Sequence, residues 1–325
     1  MYQVLVVAAV AFSTSSADQP RIGDGYVIEP EALAKVVADP AAANVRIIDA
    51  RPAAEFEKRR IKGSVWLDLE AWQKAARARG FDDAATWHGE IGKLGVAADS
   101  PVVLVDGGKM TEAARIWFIL KLVGHRDAAV LNGGFAIAEK KLPADAFESG
   151  PRPAPRPVKY APPAGKGDEK GAASGGASEK AVGLSEKGDV KKSIGDAAVQ
   201  ILDARTEAEF AGTDKKENAR GGHIPGAKNL PHTRFIDEAG RLRTVAELRT
   251  LLTDAGFKPD APIIAHCQSG GRSSLAALAA ARAGFTNVSN YYMSFGEWSA
   301  DEACPIDAPA THPASTPASN PAAKP

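Results

Sequence analysis

Pro262-Ile263-Ile264-Ala265-His266-Cys267-Gln268-Ser269-Gly270-Gly271-Arg272-Ser273-Ser274 joins a short apolar run to a turn of small residues and then to an alanine-rich segment reaching Arg282. The order predicts strand, tight loop and helix, the arrangement by which a parallel α/β sheet delivers a side chain to a helix N-terminus. Cys267 then stands at the mouth of that helix. Unpaired N–H groups of the loop and first turn face its sulfur, and the helix dipole adds a fractional positive charge. Such surroundings lower a thiol pKa from about 8.5 into a range of roughly 3.5–7.5, so that the nucleophilic thiolate is present at neutral pH. The same amides suit a small anion. Gly270 and Gly271 let the backbone wrap closely, and Arg272 sets a permanent cation at the rim. A cysteine that only packs requires none of these neighbours.

Outward from this stretch the chain reads twice. Pro30 to Val37 is patterned as a short helix, Val45 to Ile48 as a strand ending at Asp49-Ala50-Arg51, Pro101 to Val105 as a buried strand, Thr111 to Leu122 as a helix and Ala128 to Leu131 as a strand. Asp49-Ala50-Arg51 corresponds to Asp203-Ala204-Arg205, Gly63 to Gly226, Asp106 to Cys267 and Gly134 to Gly296, at displacements of 154, 163, 161 and 162 residues. Near-constant displacement is the mark of a tandem copy. The jump after the first landmark places a nine-residue insertion within Gly212 to Gly222. Alternating strands and helices predict an α/β fold with a mainly parallel sheet flanked by helices in each copy.

The expected organisation is therefore a first domain over 26–147, a linker over 148–184, a second domain over 185–308 and a disordered tail over 309–325. The linker opens with alternating prolines, expected to be stiff and extended, and continues through a flexible Gly/Lys/Glu/Ser tract. Ser185 to Ile194 is expected to start the second domain as a helix. Residues 1–17 have an apolar run from Val4 to Phe12 followed by small residues, the pattern of a signal peptide without its usual basic start. Export is the expectation. The run is too short to span a membrane, so no stable insertion is expected.

Lys plus Arg and Asp plus Glu number 40 each, which gives no reason to expect nucleic acid as a partner. Two cysteines, Cys267 and Cys304, supply neither a disulfide framework nor a four-cysteine zinc site. No metal or cofactor is expected.

The loop Cys267-Gln268-Ser269-Gly270-Gly271-Arg272 resembles the active-site loop of the rhodanese family, sulfurtransferases that carry sulfur as a cysteine persulfide. Ile201-Leu202-Asp203-Ala204-Arg205, Gly222-His223-Ile224-Pro225-Gly226-Ala227 and Phe295-Gly296-Glu297-Trp298 resemble three further marks of that family, in its order. The resemblance implies two tandem rhodanese-like domains. The first, with Asp106 at the cysteine position, looks like the non-catalytic half. In the second, the resemblance implies Cys267 as nucleophile and a donor site made by Arg272, Gln268, Ser269, Gly270, Gly271 and Ser273. Asp203 and Arg205 are read as an internal ion pair supporting the loop.

His223 is read as a structural histidine, and His266 is expected to point away from the sulfur because strand side chains alternate. Lys215, Lys216 and Arg220, in the insertion, either draw in anionic donors or form a solvated charge run. The implied partners are a small-molecule sulfur donor such as thiosulfate and a thiophilic acceptor such as cyanide or a thiol. The alternatives are a 3-mercaptopyruvate sulfurtransferase, or a sulfur-carrier or sensing module acting on a protein partner. Tandem thiosulfate enzymes usually carry an arginine after the Asp-x-Arg signal, whereas this chain has Glu207 and Glu209 there. Phosphatases of related fold place five residues between cysteine and arginine; here four, Gln268 to Gly271, stand between them.

Overall fold

The protein, described by a computed structural model over residues 21–39, 44–161 and 182–308, contains two five-stranded parallel sheets. The expected leader (1–17) and tail (309–325) and the middle of the linker (162–181) lie outside the described residues. The first unit carries strands β1 (Val27–Ile28), β2 (Arg46–Asp49), β3 (Arg60–Ile61), β4 (Ser64–Trp66), β5 (Val102–Val105), β6 (Ala128–Leu131) and β7 (Phe147–Glu148). Its helices are α1 (Pro30–Ala38), α2 (Ala53–Lys58), α3 (Leu69–Arg79), α4 (Ala84–Lys93), α5 (Thr111–Leu122) and α6 (Gly134–Lys141). The second unit carries β8 (Gly183–Ser185), β9 (Gln200–Asp203), β10 (Ala227–Asn229), β11 (Ile263–His266) and β12 (Val288–Tyr291). Its helices are α7 (Lys187–Ser193), α8 (Glu207–Phe210), α9 (Val245–Asp254), α10 (Gly271–Arg282) and α11 (Ser294–Ala300).

The two sheets have one topology. The orders β1-β6-β5-β2-β4 and β8-β12-β11-β9-β10 superpose strand for strand, while β3 and β7 form a separate antiparallel pair. Central strands such as Val102-Val103-Leu104-Val105 and Ala128-Ala129-Val130-Leu131 are buried at every position, as a parallel sheet covered on both faces requires. Each sheet has one apolar cluster on its outer face, around Leu33 and Phe135 in the first unit and around Val190 and Trp298 in the second. A third cluster joins both units. It is built on α5 and α10, which are buried almost all round and pack against one another across the junction. The alanines of α10 keep its surface low enough for that close approach.

Three boundaries differ from those expected. Gly183 and Leu184 belong to the second sheet, where β8 pairs with β12; an edge strand this short leaves no periodic signal to read. The expected helix from Ser185 begins at Lys187, after a reciprocal cap between Glu186 and Asp189. In the linker, the stretch 148–161 is anchored on the first unit. Glu148 pairs with Arg60, Arg152 with Glu57 at 2.9 Å, the Val158 N–H donates to the Gly92 carbonyl at 2.9 Å, and Tyr160 is buried beside His125.

One landmark of the repeat also moves. Phe135 and Phe295 are the equivalent residues, since each donates its N–H to the carbonyl at the head of its loop, Asp106 or Cys267, and each lies under an arginine, Arg51 or Arg205. Gly134 therefore matches Ser294, not Gly296. Both have a left-handed backbone, φ 57° and 62°, which glycine accepts freely and serine does not. The loop between strand and helix has five residues in the first unit, Asp106 to Met110, and four in the second, Cys267 to Gly270.

Candidate active site

Cys267 follows β11 directly and precedes α10 by three residues, at the C-terminal edge of the second sheet. Loops beyond the strand ends are where an open parallel sheet builds its sites. Here the loop curls so that the Gly270 N–H donates to Cys267 Sγ at 3.2 Å. Gly270 has φ 95°, and a Cβ there would meet the Tyr292 ring at 2.8 Å, so glycine is required on two counts. Burial pushes the Cys267 thiol up, yet the Arg272 charge, the Ser273 hydroxyl and the N–H groups of Ser273 and Ser269 outweigh it and hold the thiol below its ordinary range. The single Ser273 hydroxyl proton can serve either this sulfur or the Gly270 carbonyl at 3.1 Å. From the opposite side, the Ser294 hydroxyl accepts the Cys267 N–H at 3.1 Å and lies 3.9 Å from the sulfur.

Arg272 is not a free cation. Its two terminal nitrogens bind both oxygens of Glu209, at 2.6 and 2.9 Å. Glu209 is buried, and its other bonds go to the N–H and hydroxyl of Thr206 in a capping box at the start of α8. Burial raises its carboxyl, but the Arg272 and Thr206 bonds dominate and bring it down to about 2. A Thr-x-x-Glu capping signal is visible in Thr206 to Glu209; that its carboxylate also reaches Arg272 is not.

The remaining expected donor-site side chains divide. Gln268 is turned into a reciprocal amide pair with Asn218 of the insertion, at 2.6 and 2.9 Å. Ser269 is exposed at the loop tip, and Gly271 opens α10. Asp203 and Arg205 form a buried ion pair, with Arg205 donating also to the Gly222 carbonyl at 2.9 Å and lying over Phe295. Asp49 and Arg51 repeat that pair over Phe135 in the first unit, which marks it as scaffold in both.

His223 stacks on Phe210 and shares a hydrogen bond with the Phe210 carbonyl, while buried His266 lies 3.6 Å from Asp203. Arg220 does not face the loop. It donates to the carbonyls of Trp298, Ser299, Asp301 and Cys304 and so closes the end of α11, while Lys216 pairs with Asp214 at 2.6 Å. Cys304 is packed beside Trp298, and burial followed by Asp301 pushes its thiol up.

In the first unit the equivalent cradle is full. Asp106 Oδ1 accepts the N–H groups of Gly108 and Met110 at 2.9 and 3.1 Å, and Oδ2 those of Glu112 and Ala113 at 3.2 and 3.3 Å. Burial raises this carboxyl and the four amides oppose the rise. Glu112 occupies the second position of α5, as Arg272 does in α10. The second loop, by contrast, surrounds a thiol with donors.

Comparison with known proteins identifies the family. The family model described as a rhodanese-like domain matches residues 29–137 and 186–301. A thiosulfate sulfurtransferase of Pseudomonas aeruginosa is 30% identical over 285 residues, covering 86% of this chain and 96% of that protein. A 3-mercaptopyruvate sulfurtransferase of Escherichia coli is 29% identical over 299 residues, covering 85% and 95%. The crystal structure of SseA from Escherichia coli, a 3-mercaptopyruvate enzyme with the rhodanese fold, covers 83% of this chain and 98% of its own, at 28% identity and a TM-score of 0.63. With one copy of the domain keeping a cradled thiol and the other a cradled carboxylate, the chain belongs to the rhodanese-like domain family as a sulfurtransferase of rhodanese type.

Proposed function

We propose that the protein takes sulfane sulfur from thiosulfate onto Cys267 and passes it to cyanide or a thiol. The Cys267 thiolate attacks the outer sulfur of the donor. A sulfur–sulfur bond forms to Cys267, the bond to the sulfonate sulfur breaks, and sulfite leaves with the electron pair. The acceptor then attacks the outer sulfur of the persulfide and the Cys267 thiolate is restored, a ping-pong cycle. The observation that carries this reading is the cradle around Cys267 Sγ, whose N–H groups stabilise a sulfur anion without rearranging. Arg272, at the second residue of α10, is the cation nearest to hand for the donor's oxygens.

The Glu209 clamp supports a second donor. With Arg272 already paired, less net charge faces a dianion, and a monoanionic 3-mercaptopyruvate loses less by the exchange. Incubation with each donor, read by intact mass for one added sulfur on Cys267 and by kcat/KM, decides between them. Faster loading by 3-mercaptopyruvate reverses the donor assignment, and no added sulfur from either removes the persulfide reading. Aryl phosphates are expected to be poor substrates because the four-residue loop is too tight for a phosphoryl group. Export remains part of the proposal, and a mature N-terminus near Asp18 is its test.

A further inference from the structure

Arg115 is a charged residue in the middle of an apolar helix of the unit without a thiol, and it is 4% exposed. Its side chain crosses the junction. Nη1 donates to the Ser269 carbonyl at 2.5 Å and to the Tyr292 hydroxyl at 3.0 Å, while Nε pairs with Glu112 at 3.1 Å. The Ser269 carbonyl and the Gly270 N–H are the two ends of one peptide group. That N–H is the one donated to Cys267 Sγ at 3.2 Å. A peptide group is planar, so a bond that fixes its oxygen also fixes the direction of its N–H.

We infer that Arg115 is a positioning residue for sulfur transfer: through the Ser269–Gly270 peptide it aims the Gly270 N–H at Cys267, so that the first unit completes the loop of the second. Three further observations fit. The bond to the carbonyl is charge-assisted and polarises the amide, strengthening the N–H as a donor. Gly271 has no side chain where Arg115 lies, and a Cβ there would come within 2.7 Å of its Nη2. The Arg115 and Cys267 charges also favour one another, after the larger effects of burial, Tyr292 and Glu112 on the guanidinium. Among the described residues, the side chains that act on the sulfur or lie beside it are Arg272 and Ser273 from α10, Tyr292 and Ser294 from the segment after β12, and Arg115 from α5. Only the last belongs to the other unit.

The inference rests on Cys267 carrying the sulfur, but its test does not depend on turnover. In the full chain, the pH midpoint for iodoacetamide alkylation of Cys267 is compared between wild type, Arg115→Gln, Arg115→Lys and Arg282→Ala. The last removes an ion pair with Asp24 at 2.7 Å that also bridges the units, away from the loop. Arg115→Gln is expected to raise the midpoint by about one unit, equivalent to about tenfold less thiolate below it. Loading by thiosulfate falls in the same proportion at pH values below the midpoint. Arg115→Lys, which keeps a cation able to reach one acceptor, restores part of the shift; if Arg115→Gln does not fold, the lysine variant carries the test with a smaller rise. Arg282→Ala lowers the melting temperature and leaves the midpoint in place. The inference is overturned if the folded Arg115 variants keep the wild-type midpoint, or if Arg282→Ala moves it equally. A wild type that takes no sulfur from any donor while the midpoint still shifts refutes the functional reading and leaves the positioning role standing.

Discussion

The loops at Asp106 and Cys267 differ in what they hold far more than in how they are built. Each follows a central parallel strand, precedes a helix buried in the same junction and points main-chain N–H groups inward. In the first, four of those groups are spent on a carboxylate that belongs to the loop itself. In the second, a thiol takes the place of the carboxylate, the loop is one residue shorter, and Arg272 replaces Glu112. The difference teaches that a buried ring of amides demands an anion, and that whether it is structural or chemical depends on whether the anion can be exchanged.

The largest expected effect tests the exchangeable side. Cys267→Ser should reduce sulfur transfer by about a thousandfold or more, measured as thiocyanate formed, with circular dichroism unchanged. Adding Asp106→Cys to that variant should restore nothing, because Glu112 stands where the cation is needed. Mass spectrometric loading of a cysteine at 106 would break the comparison. Next in size, Asp106→Ala strands four N–H groups, those of Met110 and Ala113 buried, and should cost about 2–4 kcal/mol in urea unfolding. Activity per folded molecule should stay within a few-fold of wild type, and a deeper loss would mean that the first loop takes part in the chemistry.

Glu209→Gln sharpens the account of the cation. At neutral pH it should cost about 1–3 kcal/mol, since a buried carboxylate bonded to Arg272 is replaced by a neutral amide. Because the folded carboxyl titrates near 2 against an ordinary 4.5, that contribution is complete above about pH 4.5 and disappears as pH falls through 2. Denaturation of both proteins across that window checks the sign; a gap that widens toward acid would contradict it. The smallest effect belongs to Cys304→Ser, expected to cost about 1 kcal/mol for the polar head placed beside Trp298 and to leave turnover close to wild type.

Strand, loop and helix around Cys267 were legible because an apolar run, glycines and an alanine-rich segment each have a direct steric meaning, and α5 lies over Thr111 to Leu122 as its pattern predicts. Asp203 and Arg205 were legible as a pair because they sit two residues apart at a strand end. What escaped were partners distant in sequence. Arg115 and Ser269 are 154 positions apart, Glu209 and Arg272 63, and Asn218 and Gln268 50, so only folding reveals that they meet. Ser294 escaped for another reason: identity matched glycine to glycine, whereas the backbone matched a left-handed glycine to a left-handed serine whose hydroxyl reaches Cys267.

The Asp106 cradle has a thermodynamic corollary. A carboxylate tethered in its own site is a ligand that never dissociates, so the first unit's loop is permanently saturated and gains nothing from substrate itself. The second unit gains its ligand only when sulfur arrives. On the proposed cycle the outer sulfur of the Cys267 persulfide binds the folded loop and finds no such ring in the unfolded chain, which links loading to stability. The sulfur-charged protein should therefore melt at a higher temperature than the discharged one, and cyanide should return it to the lower value, making the melting curve itself a gauge of how far the cycle has turned.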